Sequence, residues 1–465
     1  MRFRIVFTEN ILNQSKAHLL QNDREQLLSI PCGISESKDY ITFIPRDIIK
    51  AGPEDVERNS PFEAIAKPEF RRKVLTKCLE ENLSLIDCHS HPFSNGDVKF
   101  SRIDDENDRR NFPFIFEKLP HIWSASMVFG QDSFQARIYD KREADIVPVD
   151  EIKIVGRSIR RVSAHKKEHD YETFARQVQL FGREGQDKLF ETDVAIVGVG
   201  GIGSSLLEML ARLGVGKIIL IDYDKIGTSS LNRLIGSTLH DVNRPKVEVL
   251  KEFAKQFSRS HVVAINKSIC DPSVLEIVKD VDVIFCATDT QSSVLLLNEV
   301  SVKDLIPLIN VHTGIITERG CIEAGGQVRI VLPDGFCLGC INGIDLVQAG
   351  QELLSEEDLN MRFRAGYIAN ASISDPSVIS LNCTLASLAV TEFINLVCGI
   401  REVNSYIIYD MQGNDVITQT LNAQKDEECF ICGRNGMKAL GDLKPFKNLL
   451  DAGVPKNIPN VCDHS

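Results

Sequence analysis

The sequence predicts an α/β protein in which an N-terminal α+β domain precedes a Rossmann-like nucleotide-binding domain. Three observations carry this expectation. Residues 1–155 mix short β-rich runs with helical ones. Asp193 to Lys246 then reads as a hydrophobic strand, a glycine-rich turn, a helical pattern and a second strand ending in acidic residues. Later come two Cys-x-x-Cys pairs, Cys337/Cys340 and Cys429/Cys432. A length of 465 residues gives each part enough chain for its own core.

Composition narrows the classes. A net charge of -12 argues against generic nucleic-acid binding, which wants a basic face. There is no apolar run of about 18 residues, so no membrane span is expected. Met1 to Phe7 is too short an apolar block for a signal peptide, and a cytoplasmic protein is expected. Thirteen cysteines spread through so large a chain do not read as a disulfide framework. No internal repeat or low-complexity segment is present.

In chain order, Met1 to Thr8 reads as a strand, Ile11 to Leu20 as a helix, and Gln26 to Ser35 with Tyr40 to Pro45 as a hairpin. Phe62 to Asn82 reads as an amphipathic helix and Leu83 to Cys88 as a buried strand. That strand delivers His89-Ser90-His91-Pro92, and two histidines at i and i+2 point the same way, which suits joint ligation of one metal. Asp104, at a helix start in Ser101-Arg102-Ile103-Asp104, can supply a third ligand. Three such ligands leave a position for water, the mark of a catalytic zinc. Glu25, just ahead of the early strand, is the candidate general base.

These residues resemble the JAMM (MPN/JAB) metalloprotease motif: a distant Glu, then His-Ser-His-Pro, then Ser-x-x-Asp. The resemblance implies that His89, His91 and Asp104 bind zinc, Glu25 activates water and Ser101 helps hold the oxyanion. It also implies cleavage of peptide or isopeptide bonds after a ubiquitin-like C-terminus. The stretch from His91 to Ser101 is longer than in the commonest form of the motif, the excess falling in the turn Phe93-Ser94-Asn95-Gly96-Asp97. The competing readings are a domain that only docks a partner and a structural His-x-His.

Residues 156–170, with Arg157, Arg160, Arg161, Lys166 and Lys167, read as a solvated linker. The second domain is expected over 171–435. Glycines at its strand-to-helix turn, Gly198, Gly200, Gly201 and Gly203, let the backbone approach a phosphate that the helix N-terminus then holds. Asp222 and Asp224, ending the next strand, can bond ribose hydroxyls. Such turns alone also suit a dinucleotide oxidoreductase. The polar series that follows, Ser230, Asn232, Arg233, Lys246 and Asp289, suits adenylation of a carboxylate instead. Arg233 and Lys246 can neutralise the triphosphate as charge moves to pyrophosphate, and Asp289 can hold Mg²⁺.

The segment from Tyr171 to Arg434 resembles the ThiF/MoeB family of ubiquitin-activating-like adenylyltransferases, which use ATP to adenylate the C-terminal glycine of a ubiquitin-like protein. The resemblance implies that Gly198 to Gly203 form the nucleotide turn, that Asp222 binds ribose, and that Arg233, Lys246 and Asp289 serve the phosphates and Mg²⁺. It implies that Arg176 reaches the partner's ATP in a homodimer. Where the family has Asn ahead of Leu-x-Arg this chain has Ser230, with Asn232 as a substitute. It also implies that Cys337, Cys340, Cys429 and Cys432 meet in one structural zinc site. Between the pairs, Ile341 to Asn382 holds no cysteine; Cys383 reads as a core residue and Cys321 as a weaker thioester candidate. Residues 436–465 read as a tail without chemistry.

Together these resemblances imply a zinc peptidase fused to an adenylyltransferase acting on one Gly-Gly terminus, as in bacterial ubiquitin-like conjugation operons, some linked to phage defence. Expected partners are a ubiquitin-like or sulfur-carrier protein and a conjugating enzyme or sulfurtransferase, with no nucleic acid and no membrane. Sulfur-carrier activation for cofactor or siderophore synthesis is the alternative, and a non-catalytic assembly module is another.

Overall fold

The computed structural model describes residues 2–142, 145–162, 170–318, 321–354, 376–413, 417–419 and 423–442. The chain forms two compact units: Met1–His169 with Lys303–Leu305 and Met437–Leu443, and Asp170–Val302 with Ile306–Gly436 and Lys444–Ser465.

The first unit runs β1 (Arg2–Thr8), α1 (Glu9–Leu19), β2 (Leu27–Glu36), β3 (Tyr40–Pro45), β4 (Ile49–Lys50), β5 (Val56–Asn59), β6 (Ala64–Ala66), α2 (Pro68–Glu80), β7 (Ser84–Ser90), α3 (Arg102–Lys118), β8 (Trp123–Phe129), β9 (Phe134–Asp140), β10 (Asp145–Pro148), β11 (Glu151–Val155) and β12 (Ile159–Val162). One mixed sheet takes the order β10-β9-β8-β7-β2-β3-β1-β11-β12, with β4 added to β2, while β5 and β6 form a separate hairpin. β1 is buried along six of its seven residues, and Ile5, Phe7, Leu28, Ile30 and Phe43 are fully enclosed. Apolar runs of this kind suit strands covered on both faces. α1 starts where Thr8 Oγ1 accepts the Ile11 N–H at 3.2 Å.

Three expectations need correction here. The helix expected from Phe62 begins only at Pro68, because proline fits the first helical turn and pushes Lys67 into extended backbone. The residues before it belong to the β5–β6 hairpin. Ile159–Val162, expected in the linker, forms the edge strand β12, with Arg160 on Glu9 at 2.9 Å and Arg161 on Glu151 at 2.8 Å. Lys166 and Lys167 lie outside the described residues. The start of the expected tail is also ordered: Gly441 bridges Ile34, and Asp442 accepts the Glu36 N–H at 2.6 Å.

The second unit contains α4 (Ala175–Phe190), β13 (Asp193–Val197), α5 (Gly201–Leu213), β14 (Lys217–Ile221), α6 (Lys246–Ala254), β15 (His261–Ile265), α7 (Pro272–Val278), β16 (Val283–Cys286), α8 (Gln291–Asp304), β17 (Leu308–Glu318), β18 (Cys321–Val331), α9 (Leu346–Glu352), α10 (Ile379–Cys398), β19 (Tyr406–Asp410) and β20 (Ile417–Gln419). Strands β15-β14-β13-β16-β17 are parallel and continue into antiparallel β18-β19-β20. The chain order therefore reverses between β13 and β16, and in open α/β sheets the crevice at such a reversal is where ligands bind.

The turn from β13 into α5 depends on missing side chains. Gly198 has φ +84°, and a Cβ there would lie 2.5 Å from the Ala287 carbonyl oxygen. A Cβ on Gly203 would overlap the Gly198 carbonyl oxygen. α10 is long and apolar enough to cross a membrane, but most of it is buried inside the protein, as in a core helix.

Because the atom in the way at Gly203 is backbone, Gly203→Ala is expected to destabilise the nucleotide-binding unit by about 1–3 kcal/mol, the scale for overpacking. A thermal melt checks this. An unchanged melting temperature would mean that the turn relaxes without cost.

Candidate functional site

In the first unit, His89 stands near the end of β7, paired in register with Leu27 of β2, and Glu25 lies just ahead of β2. The His91 N–H donates to the Phe129 carbonyl of β8 at 2.8 Å, so neighbouring strands hold both histidines. α3 supplies Asp104 through a capping box. Ser101 Oγ accepts the Asp104 N–H at 3.2 Å, and Asp104 Oδ2 accepts the Ser101 N–H at 2.5 Å. Arg137 of β9 pins this helix start by reaching Asp105 and Asp108, each at 2.5 Å, while lying over the Phe100 ring.

The expected ligands therefore meet. His89 Nε2 is 3.0 Å and His91 Nε2 3.3 Å from Asp104, and one donor atom from each residue lies within 4.8 Å of the others. His89 Nε2 is buried without a well-directed hydrogen bond, as expected of a nitrogen whose lone pair is reserved for a metal. Glu25 Oε1 sits 3.8 Å from His91 Nε2. Burial pushes the Glu25 carboxyl up to about 7, against the pull of His89 and His91. Burial also pushes Asp104 up, but the close approach of the His89 and His91 rings outweighs it and holds this carboxyl well below its ordinary range. Ser101 is placed as the cap that orients Asp104.

A cavity of about 260 Å³ opens from this cluster, walled by the β5–β6 hairpin, α2 and α3 through Phe62, Ile65, Phe70, Ile103 and Phe114. The sequence carried no visible signal for the hairpin as a wall, since Phe62 to Lys67 continued the helical pattern.

In the second unit a cleft of about 270 Å³ lies at the C-terminal edge of the parallel strands. Gly198, Gly200, Gly201, Asp222, Asp224, Arg233, Lys246 and Asp289 all line it. Asp222 closes the glycine turn, one oxygen accepting the Val199 N–H at 2.9 Å and the other the Asp224 N–H at 2.8 Å. Burial pushes its carboxyl up, opposed chiefly by Lys246. The Lys246 ammonium pairs with Asp224 at 2.8 Å and lies 3.8 Å from Asp222. Arg233 donates to the Ser229 carbonyl at 2.6 Å and to Asn232 Oδ1 at 3.2 Å.

Four expected residues do not line the cleft. Gly203 serves the packing of the turn instead. Ser230 stands in a 3₁₀ turn outside the lining, and Asn232, whose Oδ1 accepts from Arg233, is outside it too. Arg176, exposed at the start of α4, is outside this chain's own cleft. Conversely, Lys267, Ser293, His312 and Asn382 line it without having been anticipated. Lys267 follows closely on parallel strand β15, the position from which side chains overlook the crevice, so strand counting could have found it. Asn382 comes from α10, where an apolar helical pattern hid it. Its neighbour Cys383 is half-buried, with Sγ 3.5 Å from Ser205 Oγ.

The four cysteines converge as well. Sγ separations are 3.9 Å for Cys337–Cys340, 3.7 Å for Cys337–Cys429 and 3.3 Å for Cys340–Cys432. Tetrahedral Zn–S bonds of about 2.3 Å place sulfurs about 3.8 Å apart, so the donor set fits zinc. The Asp426 N–H donates to Cys340 Sγ at 3.4 Å. The hydrogen bond with Cys432 holds the Cys337 thiol below its ordinary range, while burial pushes the Cys429 thiol above it.

The fold and the cleft define a nucleotide-binding enzyme of the E1-like adenylyltransferase class. Residues 174–431 match the ThiF family across more than half of the chain, and the protein belongs to that family. It is 26% identical over 265 residues to the SAMP-activating enzyme E1 of Haloferax volcanii, covering 56% of this chain and 88% of that one. It is 28% identical over 179 residues to the sulfur carrier protein ThiS adenylyltransferase of Escherichia coli, covering 37% and 68%. Among solved structures, E. coli MccB with MccA-N7isoASN superposes with a TM-score of 0.46 at 22% identity, over 57% of this chain and 76% of that one.

Two independent donor sets predict two zinc ions per chain by elemental analysis. His89→Ala is expected to remove one and Cys429→Ser the other, the latter with a lower melting temperature because its cluster closes two distant loops. Equal metal in wild type and His89→Ala would mean that the first cluster binds none.

Proposed function

We propose that this protein adenylates the C-terminal glycine of a ubiquitin-like protein and also carries a JAMM-type zinc peptidase, over 1–162, that trims or removes the same modifier. The observation supporting the pairing is that one chain assembles both a nucleotide cleft lined by Arg233, Lys246 and Lys267 and a His-His-Asp cluster beside a buried Glu25. The SAMP-activating relative favours a protein modifier. The ThiS adenylyltransferase relative favours the second reading, activation of a sulfur carrier, which uses the same first step.

In the proposed reaction the turn from Gly198 and the first N–H groups of α5 hold ATP phosphates, and Asp222 bonds the ribose. A substrate carboxylate oxygen attacks the α-phosphorus, the bond to the β-phosphate oxygen breaks, and pyrophosphate leaves. Lys246 and Arg233 follow the charge onto pyrophosphate, Lys246 exchanging its pairing with Asp224 for the phosphates. Asp289 would hold Mg²⁺, which shields the polyphosphate when bound. Arg176 would act on the partner subunit's nucleotide in a homodimer. A conjugating enzyme or a sulfurtransferase would then take the activated product.

In the peptidase unit, zinc held by His89, His91 and Asp104 would supply an acidified water. Glu25, buried beside the cluster with Oε1 3.8 Å from His91 Nε2, accepts that proton and returns it to the departing amine. The cavity beside Phe62 and Ile65 receives the polypeptide.

Pyrophosphate exchange should require a protein ending in Gly-Gly, and Lys246→Ala or Asp289→Ala should lower it by at least ~10²-fold. Exchange persisting in both variants would remove the adenylation reading. Separately, Glu25→Gln should cut cleavage of a modifier extended beyond Gly-Gly by roughly 10²- to 10⁴-fold while zinc content stays constant. Equal cleavage would assign the base elsewhere.

A further inference from the structure

A second cavity, of about 250 Å³, adjoins the nucleotide cleft and shares Thr288, Asp289 and His312 with it. One wall is built by the antiparallel strands β17 and β18, whose register sets Asn310 opposite Arg329 and His312 opposite Gln327. Alternate residues of a strand share a face, so these two cross-strand pairs look into the same space. The opposite wall is the loop at Asn342, Gly343 and Asp345, anchored where the Leu338 N–H donates to Asn298 Oδ1 beside the cysteine cluster.

Arg329 is out of place as a structural residue. It donates one hydrogen bond, to the Gly343 carbonyl at 3.2 Å. Its Nε is buried without a partner, and among the described residues its hydrogen bond goes to a carbonyl rather than a carboxylate. Asn310, 1% exposed, likewise leaves Oδ1 unpartnered. Of the cavity's two carboxylates, Asp345 is engaged in capping α9 by accepting the Gln348 N–H at 2.9 Å, and Asp289 stands at the shared rim. A half-buried guanidinium whose enclosed Nε has no partner is costly without an anion, and its planar fork is shaped for a carboxylate or a phosphate. The phosphates have their own cradle at the glycine turn, in the neighbouring cleft.

Building on the adenylation reading, we propose that this cavity receives the C-terminal segment of the protein substrate, and that Arg329 pairs with a carboxylate carried by that segment. Asn310 Oδ1 accepts a backbone N–H of the same segment. The carboxylate comes from one of two sources, the terminal carboxyl group itself or an acidic side chain a few residues upstream. Arg329 is thus a substrate-selecting residue, distinct from those that serve ATP.

The test uses the full-length protein with a non-hydrolysable ATP analogue and synthetic hexapeptides ending in Gly-Gly, titrated by calorimetry. One pair differs as free acid against C-terminal amide, and another as Glu against Gln upstream of the glycines. In one pair or the other, the carboxylate form should bind about tenfold tighter, as a charge-assisted pair requires. Arg329→Gln should erase that margin while affinity for the ATP analogue stays within twofold, and Arg329→Lys should keep part of it. Should Arg329→Gln melt early, Arg329→Met gives the same comparison in a chain that retains the apolar stem. The proposal is overturned if no peptide binds, if neither carboxylate matters, or if the variant weakens the ATP analogue as much as the peptide. A failed adenylation reading has a different signature: peptide binding that depends on Arg329, without pyrophosphate exchange.

Discussion

The structure of the nucleotide-binding unit depends on how closely backbone can approach backbone at the turn from β13 into α5. Gly198 takes a left-handed conformation under the Ala287 carbonyl, and Gly203 lets α5 settle onto the Gly198 carbonyl. That approach leaves the Val199 N–H aimed at Asp222, so the turn and the end of β14 are tied by a charged hydrogen bond at 2.9 Å. Parallel pairing of β13 with β14 and β16 then brings Asp224 and Asp289 to the same edge. The cleft follows from packing, and its chemistry from which residues happen to stand at strand ends.

The first unit reaches a comparable result by other means. Glu25, His89, His91 and Asp104 come from three separate stretches, and β2 pairing with β7 sets the first two stretches side by side. Asp104 is delivered by a helix cap, and Arg137 clamps that helix through Asp105 and Asp108. A buried polar cluster of this kind is expensive unless a cation balances it, and the orphaned His89 Nε2 marks where the balance is wanted.

Much of this was legible in the sequence, for identifiable reasons. Period-two and period-3.6 patterns located β1, α1, β2, β3 and β7, and the spacing of His89, His91 and Asp104 foretold a cluster the fold closes. The glycine turn and strand-end acids were equally readable, because their chemistry is local. What escaped was non-local. Phe62 to Lys67 imitates a helix but pairs as a hairpin, and Pro68 alone hinted at the boundary. The basic run containing Arg160 and Arg161 looked like linker because Glu9, the partner of Arg160, is far away in the chain, and Arg161 meets Glu151 only through the pairing of β11 with β12. Arg329 gave no signal at all, since its isolation is a property of β17–β18 register and burial rather than of neighbouring residues.

Formation of an acyl-adenylate at a protein C-terminus is the central step of the proposed reaction. Its most direct test is intact-mass analysis of a Gly-Gly-ending ubiquitin-like or sulfur-carrier protein incubated with this enzyme, ATP and Mg²⁺. The expected product is a species heavier by one AMP moiety, lost on adding a thiol or amine nucleophile and absent when the terminal glycine is amidated. Hydrolysis of ATP with no AMP-bearing protein, for any such substrate tested, would contradict it.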